Sequence, residues 1–375
     1  MMPTMVLFFT ENGLTMQQVF ILQTFFSIAI FALEIPSGYI ADSFGRKNSI
    51  VLGSIIGLAS FIVYALSYSF WPMVLAETLL GIGFAFISGA DSALLYESMA
   101  VNNETDDYRR REGHMQFSYV FSEAVGSVFG GYLALISLRT PMYGEVVLFF
   151  LLVLISLSLT EVGWKKESLE KKAWSMRRVI VHTFKENKVL RWLSIYYALI
   201  STAGLIVVWF RQPYFQELGI GVEYFGYLWA LLMLAVSLAS LSADWLERTV
   251  GMRRSLSLLG LLGILGFLLI GAQYSYWGIL AMVLFCFMRG LAEPIISHHI
   301  QRFAVSEVRA TMLSIKGFIG RGLFAVAGPF AGWASDVYSL QFALIASGVI
   351  FGLLSSATLI ALLRYEQQER LIEPV

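Results

Sequence analysis

Gly38-Tyr39-Ile40-Ala41-Asp42-Ser43-Phe44-Gly45-Arg46-Lys47 is the stretch whose reading decides the fold. It closes a long apolar run that starts near Thr15, and a second apolar run opens directly after Lys47. So few residues separate the two runs that two long helices must be joined by a tight turn. The turn holds an acid, Asp42, a glycine, Gly45, and two bases, Arg46 and Lys47. A degraded copy follows in the second half: Ala243-Asp244, Glu247-Arg248, Gly251 and Arg253-Arg254.

Composition sets the solvent in which these helices fold. The chain has 375 residues, 57% of them apolar and only 14% charged, with a mean hydropathy of +0.71. That balance lies outside the range of soluble domains. Many apolar runs reach about 20 residues, the length a helix needs to cross a bilayer core. Backbone groups in lipid must be satisfied within their own segment, so the runs read as helices. The single cysteine, Cys286, excludes an intramolecular disulfide framework. His114, His182, His298 and His299 show no metal-ligand spacing, so no metal site is expected. No clustered nucleophile and base and no H-E-x-x-H pattern is present, so no catalytic residues are expected. His298-His299 beside Glu293 comes nearest to a metal motif, and a helix-end pair explains it better. Without a G-x-x-x-x-G-K-[ST] loop, ATP is not expected as the direct energy source. No basic segment precedes the first apolar residues, so no cleavable signal peptide is expected.

Full spans are expected near 15–41, 48–68, 71–99, 112–137, 141–161, 191–217, 221–246, 255–273, 276–302, 309–335 and 340–363. Met1 to Phe9 is apolar but too short to span, and reads as the second half of a first helix, with a short interfacial segment as the alternative. The expected fold is therefore an all-α polytopic membrane protein of eleven full spans plus a partial first span. It divides into an N-terminal bundle, 1–161, a linker, 162–190, and a C-terminal bundle, 191–375. The linker interleaves eight lysines and arginines with Trp174, Val179, Ile180 and Phe184, which suits either an amphipathic segment on an anionic membrane surface or a solvated connector.

Basic residues fall in alternate loops: Arg46 and Lys47; Arg109 to Arg111; the linker and Arg191; Arg248, Arg253 and Arg254; Arg302 and Arg309; Arg364 and Arg370. The opposite loops carry only Arg139. Positive charge marks the cytoplasmic side, so the signature loops, the linker and the C-terminus are expected to be cytoplasmic. The halves also repeat. Asp42 and Asp244 are 202 positions apart, as are Gly126 and Gly328, Gly130 and Gly332, and Asp91 and Glu293. One offset shared by several features argues for two six-helix halves with a site near the midplane.

The G-x-x-x-D-x-x-G-R-K pattern between the second and third spans resembles the signature loop of the major facilitator superfamily. The resemblance implies two pseudo-symmetric six-helix bundles working by alternating access. It also implies that Gly38, Asp42, Gly45, Arg46 and Lys47 form a gate, with Asp42 at the positive N-terminal end of the span opening near Arg309 and Arg46 paired with Glu97. Asp244 and Arg248 take the corresponding places in the second half. Two departures stand out: Glu77 precedes Gly81-Ile82-Gly83 where antiporters of this family often carry Arg. Likewise Gly126-Ser127-Val128-Phe129-Gly130-Gly131 has Ser in place of the drug-antiporter Pro. Small residues at this spacing also serve close helix packing alone.

Charges inside spans are functional candidates because burying them in lipid is costly. Counting helical rise, Glu123, Arg289 and Arg321 fall nearest the midplane. Glu34, Asp91, Glu293 and Lys316 lie in the cytoplasmic third, and Arg211 in the outer third. By resemblance the spans of Asp91, Arg211 and Arg289 surround the central cavity, and those of Glu34, Glu123 and Arg321 line the seam. Arg289 and Glu293, four apart on one helix, could neutralise each other. Arg321 or Lys316 could reach Glu123 or Asp91. Arg211-Gln212-Pro213 marks a kink near the outer end of the seventh span.

The expected function is proton-coupled export of a small amphipathic organic compound, with metabolite uptake or a non-transporting membrane sensor as alternatives. The expected partners are the substrate, protons and the lipid bilayer, with no nucleic acid and no cofactor. The chain is read as a monomer in the plasma (inner) membrane.

Overall fold

The computed structural model describes residues 2–102, 104, 107–161, 187–272, 275–303 and 309–372. Among these the chain is all-helical. A short turn of 3-10 helix, Met2–Thr4, leads into α1, Met5–Glu11. There follow α2, Met16–Phe44; α3, Arg46–Leu66; α4, Phe70–Ile87; α5, Ala90–Val101; α6, Tyr108–Ile136; and α7, Thr140–Ser158. Then come α8, Lys188–Glu217; α9, Val222–Ala272; α10, Tyr276–Phe303; α11, Arg309–Val337; and α12, Leu340–Ile372.

Helix boundaries follow local chemistry. At the start of α2 the Thr15 hydroxyl accepts the Gln18 N–H at 3.3 Å, and the Gln18 side-chain oxygen accepts the Thr15 N–H at 3.0 Å. This reciprocal cap satisfies two amides that a helix start otherwise leaves open. Gly45 separates α2 from α3 with a φ of 101°, and Gly251 interrupts α9 with a φ of 79°. Both angles lie where side chains are strained and glycine is not.

Nine segments among the described residues are long and apolar enough to cross a membrane. Eleven full spans were expected, and two differences account for the number. The 51 residues of α9 would run about 75 Å as a rod, more than twice a bilayer core. Gly251 divides them into the two expected spans, 221–246 and 255–273. The segment Arg309–Val337, which carries Lys316 and Arg321, is not one of the nine. The exterior agrees with a lipid solvent: Leu66, Phe129, Leu241 and Leu353 are each more than 60% exposed, a cost in water and none in hydrocarbon. The chain is a multi-pass membrane protein.

The span expected at 71–99 falls within one segment apolar and long enough to cross a membrane, Phe70–Val101, but its helix is not continuous. It breaks at Ser88 and Gly89, where Gly89 adopts a φ of 82°, and resumes as a separate helix, α5. The apolar pattern runs through this break, so periodicity alone does not reveal it.

The chain divides into two compact units, Met1–Leu169 with Ile220–Ala230, and Glu170–Gly219 with Leu231–Val375. In the first, α3 packs closely on α4 and α7, and α2 on α4. A Cβ on Gly53 would lie 2.7 Å from the Gly83 carbonyl, and one on Gly83 would lie 2.8 Å from the Gly53 carbonyl. Gly83 therefore serves backbone approach, as does Gly81, whose added Cβ would meet the Phe26 carbonyl at 2.7 Å. Ser49 and Ser60 donate across the same interface to the carbonyls of Phe86 and Ala76, both at 2.7 Å. In the second unit α8 is the central element, packed on α10, α11 and α12, and most of its side chains from Val189 to Phe215 are buried.

Candidate functional site

The corner around Gly45 brings together Asp42, Arg46 and Glu97. Ala41 from α2, Ile50 from α3, and Ala90 and Leu94 from α5 form one small apolar cluster, with Leu159 beyond α7 packed against it. On this base the Arg46 guanidinium pairs with Asp42 one turn earlier and reaches Glu97 at 3.4 Å. The Arg46–Glu97 pairing implied by the signature loop is therefore present. Both contacts lie inside the first unit, so the arginine holds the acid of its own loop in place. Glu161 completes the corner: its two carboxylate oxygens accept the N–H groups of Arg46 at 2.9 Å and Lys47 at 2.8 Å. Two charge-assisted bonds at a helix N-terminus are favoured by both hydrogen bonding and the helix dipole. A Cβ on Gly45 would collide with that carboxylate, a second reason for glycine there. Gly38 has open space around its Cα, and Lys47 is half-buried. The side chain of Arg309, at whose helix start the family resemblance places Asp42, lies outside the described residues, as do the Glu34 side chain and residues 162–186 of the linker.

The second unit holds a parallel arrangement. Arg248 pairs with Asp244 at 2.9 Å, both well exposed. After Gly251, Arg253 donates two bonds to the buried Glu366 carboxylate, at 3.0 and 2.8 Å. Each half thus sets an acid from its last helix region, Glu161 or Glu366, against the segment that follows its glycine break.

The in-span charges separate into three surroundings. On the second unit, Glu293 accepts bonds from Lys316 at 2.6 Å, Tyr197 at 2.7 Å and Ser297 at 3.1 Å. Lys316 also contacts the Ser297 hydroxyl and lies over the Tyr197 ring at 4.6 Å. Arg289 and Arg321 are within electrostatic reach of Tyr197. Glu293, Tyr197 and Arg321 are exposed or at an exposed contact. This corrects the expected Arg289–Glu293 pairing: the carboxylate turns to Lys316 on α11 instead. Arg289 packs its stem against Gly204, where an added Cβ would lie 3.0 Å from the arginine Cγ.

In the first unit, half-buried Glu123 accepts a bond from Trp229 Nε1 at 3.2 Å. Asp91 sits in the first turn of α5 and accepts the Ser92 N–H at 2.7 Å, and the Ser92 hydroxyl contacts Glu112 at 3.1 Å. Its counterpart by offset, Glu293, sits in mid-helix, so the two acids do not share surroundings.

The third group is enclosed. Arg211 is fully buried, with Nη2 at 3.5 Å from Cys286 Sγ, and Gln212 is only 2% exposed. Arg211 is therefore built into the second unit rather than presented on its surface. Glu77, read from the sequence only as a departure from a pattern, is 1% exposed and accepts a bond from Gln23 at 2.7 Å. The buried Tyr64 hydroxyl lies within its electrostatic reach.

Arg139, the one exception to the loop charge pattern, has a structural task. It donates to the carbonyls of Tyr64, Ala65 and Ser67 and to Asn12 Oδ1, at 3.4, 2.9, 2.7 and 2.7 Å. It also lies over the rings of Tyr68 and Phe8. A helix end leaves such carbonyls open, and one guanidinium closes three of them. Where the sequence spacing predicts no metal ligands, the fold brings Glu247, His298 and His299 together, their donor atoms within 4.8 Å of one another.

Comparison with known proteins agrees with this architecture. The chain is 24% identical over 337 residues to the tetracycline resistance protein, class H, of Pasteurella multocida, covering 85% of this chain and 81% of that protein. It is 21% identical over 371 residues to the uncharacterized MFS-type transporter YxaM of Bacillus subtilis (strain 168), covering 95% and 85%. Among solved structures, the nucleoside transporter NupG superposes with a TM-score of 0.79 at 15% identity, covering 97% of this chain and 94% of that one. A D-xylose-proton symporter superposes with a TM-score of 0.76 at 13% identity, covering 97% and 93%. The sequence model of the Major Facilitator Superfamily matches residues 1–329, and the chain belongs to that family of membrane transporters.

Proposed function

We propose that this chain is a secondary active transporter that exports a small amphipathic organic compound in exchange for protons, by alternating access of its two halves. The carrying observation is the polar cluster of Tyr197, Arg289, Glu293, Lys316 and Arg321 on the second unit, exposed at Glu293 and Arg321 and buried at Lys316. Tyr197, Arg289 and Glu293 lie on helices long and apolar enough to cross a membrane, and charges at that depth require a wet cavity or a protein partner rather than lipid. A cavity open to water inside a helical membrane protein is what a substrate pathway needs.

Export is supported by the likeness to a tetracycline resistance protein over most of both chains and by an aromatic content of 15%, which suits flat amphipathic ligands. Glu123 is the preferred proton carrier, with Asp91 second. Glu123 is a half-buried carboxyl within a span, and its Trp229 bond would exchange for another partner when the acid is protonated. Asp42, Arg46 and Glu97 act as the gate. In this reading the C-terminus and both signature loops face the cytoplasm, the membrane is the plasma membrane, and the protein works as a monomer. Uptake of a polar metabolite is the second reading. It is favoured by one observation, the two arginines, Arg289 and Arg321, on the same patch.

The test is efflux of a fluorescent amphipathic dye, and of tetracycline, from cells expressing the chain, with and without a protonophore. Efflux that the protonophore stops supports the proposal. A properly inserted protein that moves neither compound would turn the reading to uptake.

A further inference from the structure

We propose that Glu247, His298 and His299 form a binding site for a divalent transition-metal ion of the zinc class, beside the Gly251 break. The three residues come from two helices, Glu247 from α9 and the histidines from α10, and their donor atoms all lie within 4.8 Å of one another. His299 Nε2 is 2.8 Å from Glu247 Oε1. Yet neither ring nitrogen of His299, which is 1% exposed, has a hydrogen-bond partner. A buried imidazole with both nitrogens unsatisfied is costly. Two donor atoms this close, supplied by two helices, can form one edge of the coordination shell of a shared ion.

The chemistry of the set selects the ion. Two imidazoles and a carboxylate suit zinc, nickel or cobalt better than calcium or magnesium, which prefer oxygen. Ligands around a tetrahedral ion with bonds of about 2.1 Å lie about 3.4 Å apart. The Glu247–His299 edge, 2.8 Å, would open by roughly half an ångström, and His298, which is exposed, would swing in by up to about 1.5 Å to complete the set. Three protein ligands leave a fourth position for water.

Neighbouring charges leave the site open to a cation. Arg248 is engaged by Asp244 and Arg253 by Glu366, while Arg302 is a base that acts on both Glu247 and His299. The Glu366 carboxylate acts on His299 with the opposite sign. An ion here ties α9, just before its break, to the end of α10. The site does not depend on the transport proposal.

The test uses the purified full chain with its affinity tag removed, stripped by chelator and titrated with zinc chloride against a fluorescent zinc chelator, and separately with cobalt chloride. The expected results are one ion per chain, visible cobalt absorption of a tetrahedral site, and a melting temperature raised by zinc. His298→Ala, His299→Ala and Glu247→Gln should each weaken binding by at least about tenfold, and His114→Ala should not. Because His298 is exposed, His298→Ala keeps the test decisive even if His299→Ala disturbs folding. Wild-type protein that binds no zinc at micromolar concentrations, or His298→Ala and Glu247→Gln proteins that bind it like wild type, would overturn the proposal.

Discussion

Glu161 and Lys47 are 114 positions apart, yet a carboxylate oxygen of Glu161 accepts the backbone N–H of Lys47 at 2.8 Å while its other oxygen accepts that of Arg46 at 2.9 Å. The bond joins the end of the first unit's last helix region to the signature turn. Arg46, which pairs with Asp42 and Glu97, is thereby tied at its backbone to that helix region.

Glu161→Ala should destabilise the protein by roughly 1–3 kcal/mol, since two amides at the start of α3 lose a charged acceptor. Glu161→Gln keeps one acceptor oxygen and should lose less. Gly45→Ala should be worse than Glu161→Gln, because it strains the backbone and drives a methyl into the carboxylate. Melting temperatures of the three purified variants check the order.

Arg139 closes three carbonyls at the end of α3, and a lysine cannot reproduce its fork. Arg139→Ala and Arg139→Lys should both lower thermal stability, with lysine the milder, while KM for the transported compound stays unchanged. A change in KM without a loss of stability would assign Arg139 to the substrate path instead.

Glu293 and Lys316 act as a pair, so their substitutions should not add. Glu293→Gln and Lys316→Ala should each reduce transport by about tenfold or more, and the double variant should be little worse than either single one. Transport rates in reconstituted vesicles measure the cycle. Fully additive losses would mean that the contact at 2.6 Å has no part in function.

Much of the fold is legible in the sequence because membrane helices announce themselves by length and apolarity. The acid–glycine–base turn carried the family resemblance, and that resemblance implied Glu97 as the partner of Arg46, where the structure has it. What the sequence hides are partners supplied from far along the chain. Glu293 has a cation four residues away, yet Lys316 on α11 takes it, because a cross-helix ammonium reaches the carboxylate without bending back along its own helix. Glu77 was visible as an oddity, but Gln23, 54 positions away, was not. The Gly89 break was hidden because the interruption at 88–92 is short and apolar residues, 84–87 and 93–95, lie on either side of it, so that Phe70–Val101 still reads as one span. His298 and His299 carry no motif, and only the packing of α9 against α10 sets Glu247 beside them.

Glu77 and Gln23 lie in a sealed part of the first unit. Glu77→Ala would leave the Gln23 amide without its acceptor and should cost roughly 1–3 kcal/mol, seen as lower melting temperature and yield. Gln23→Ala should be no milder, because it strands a carboxyl in place of an amide. Equal stability of Glu77→Ala and wild type would show that water replaces the lost contact.

Proton exchange is the central claim, and its most direct measurement is proton movement on addition of substrate to vesicles holding the purified protein. An internal pH dye would report the response to tetracycline and to an amphipathic dye, for wild type, Glu123→Gln and Asp91→Asn. The account predicts that substrate drives protons the opposite way in wild type, and that Glu123→Gln still binds substrate but moves no protons. Substrate flux with no proton movement, or a Glu123→Gln protein that moves protons like wild type, would contradict it.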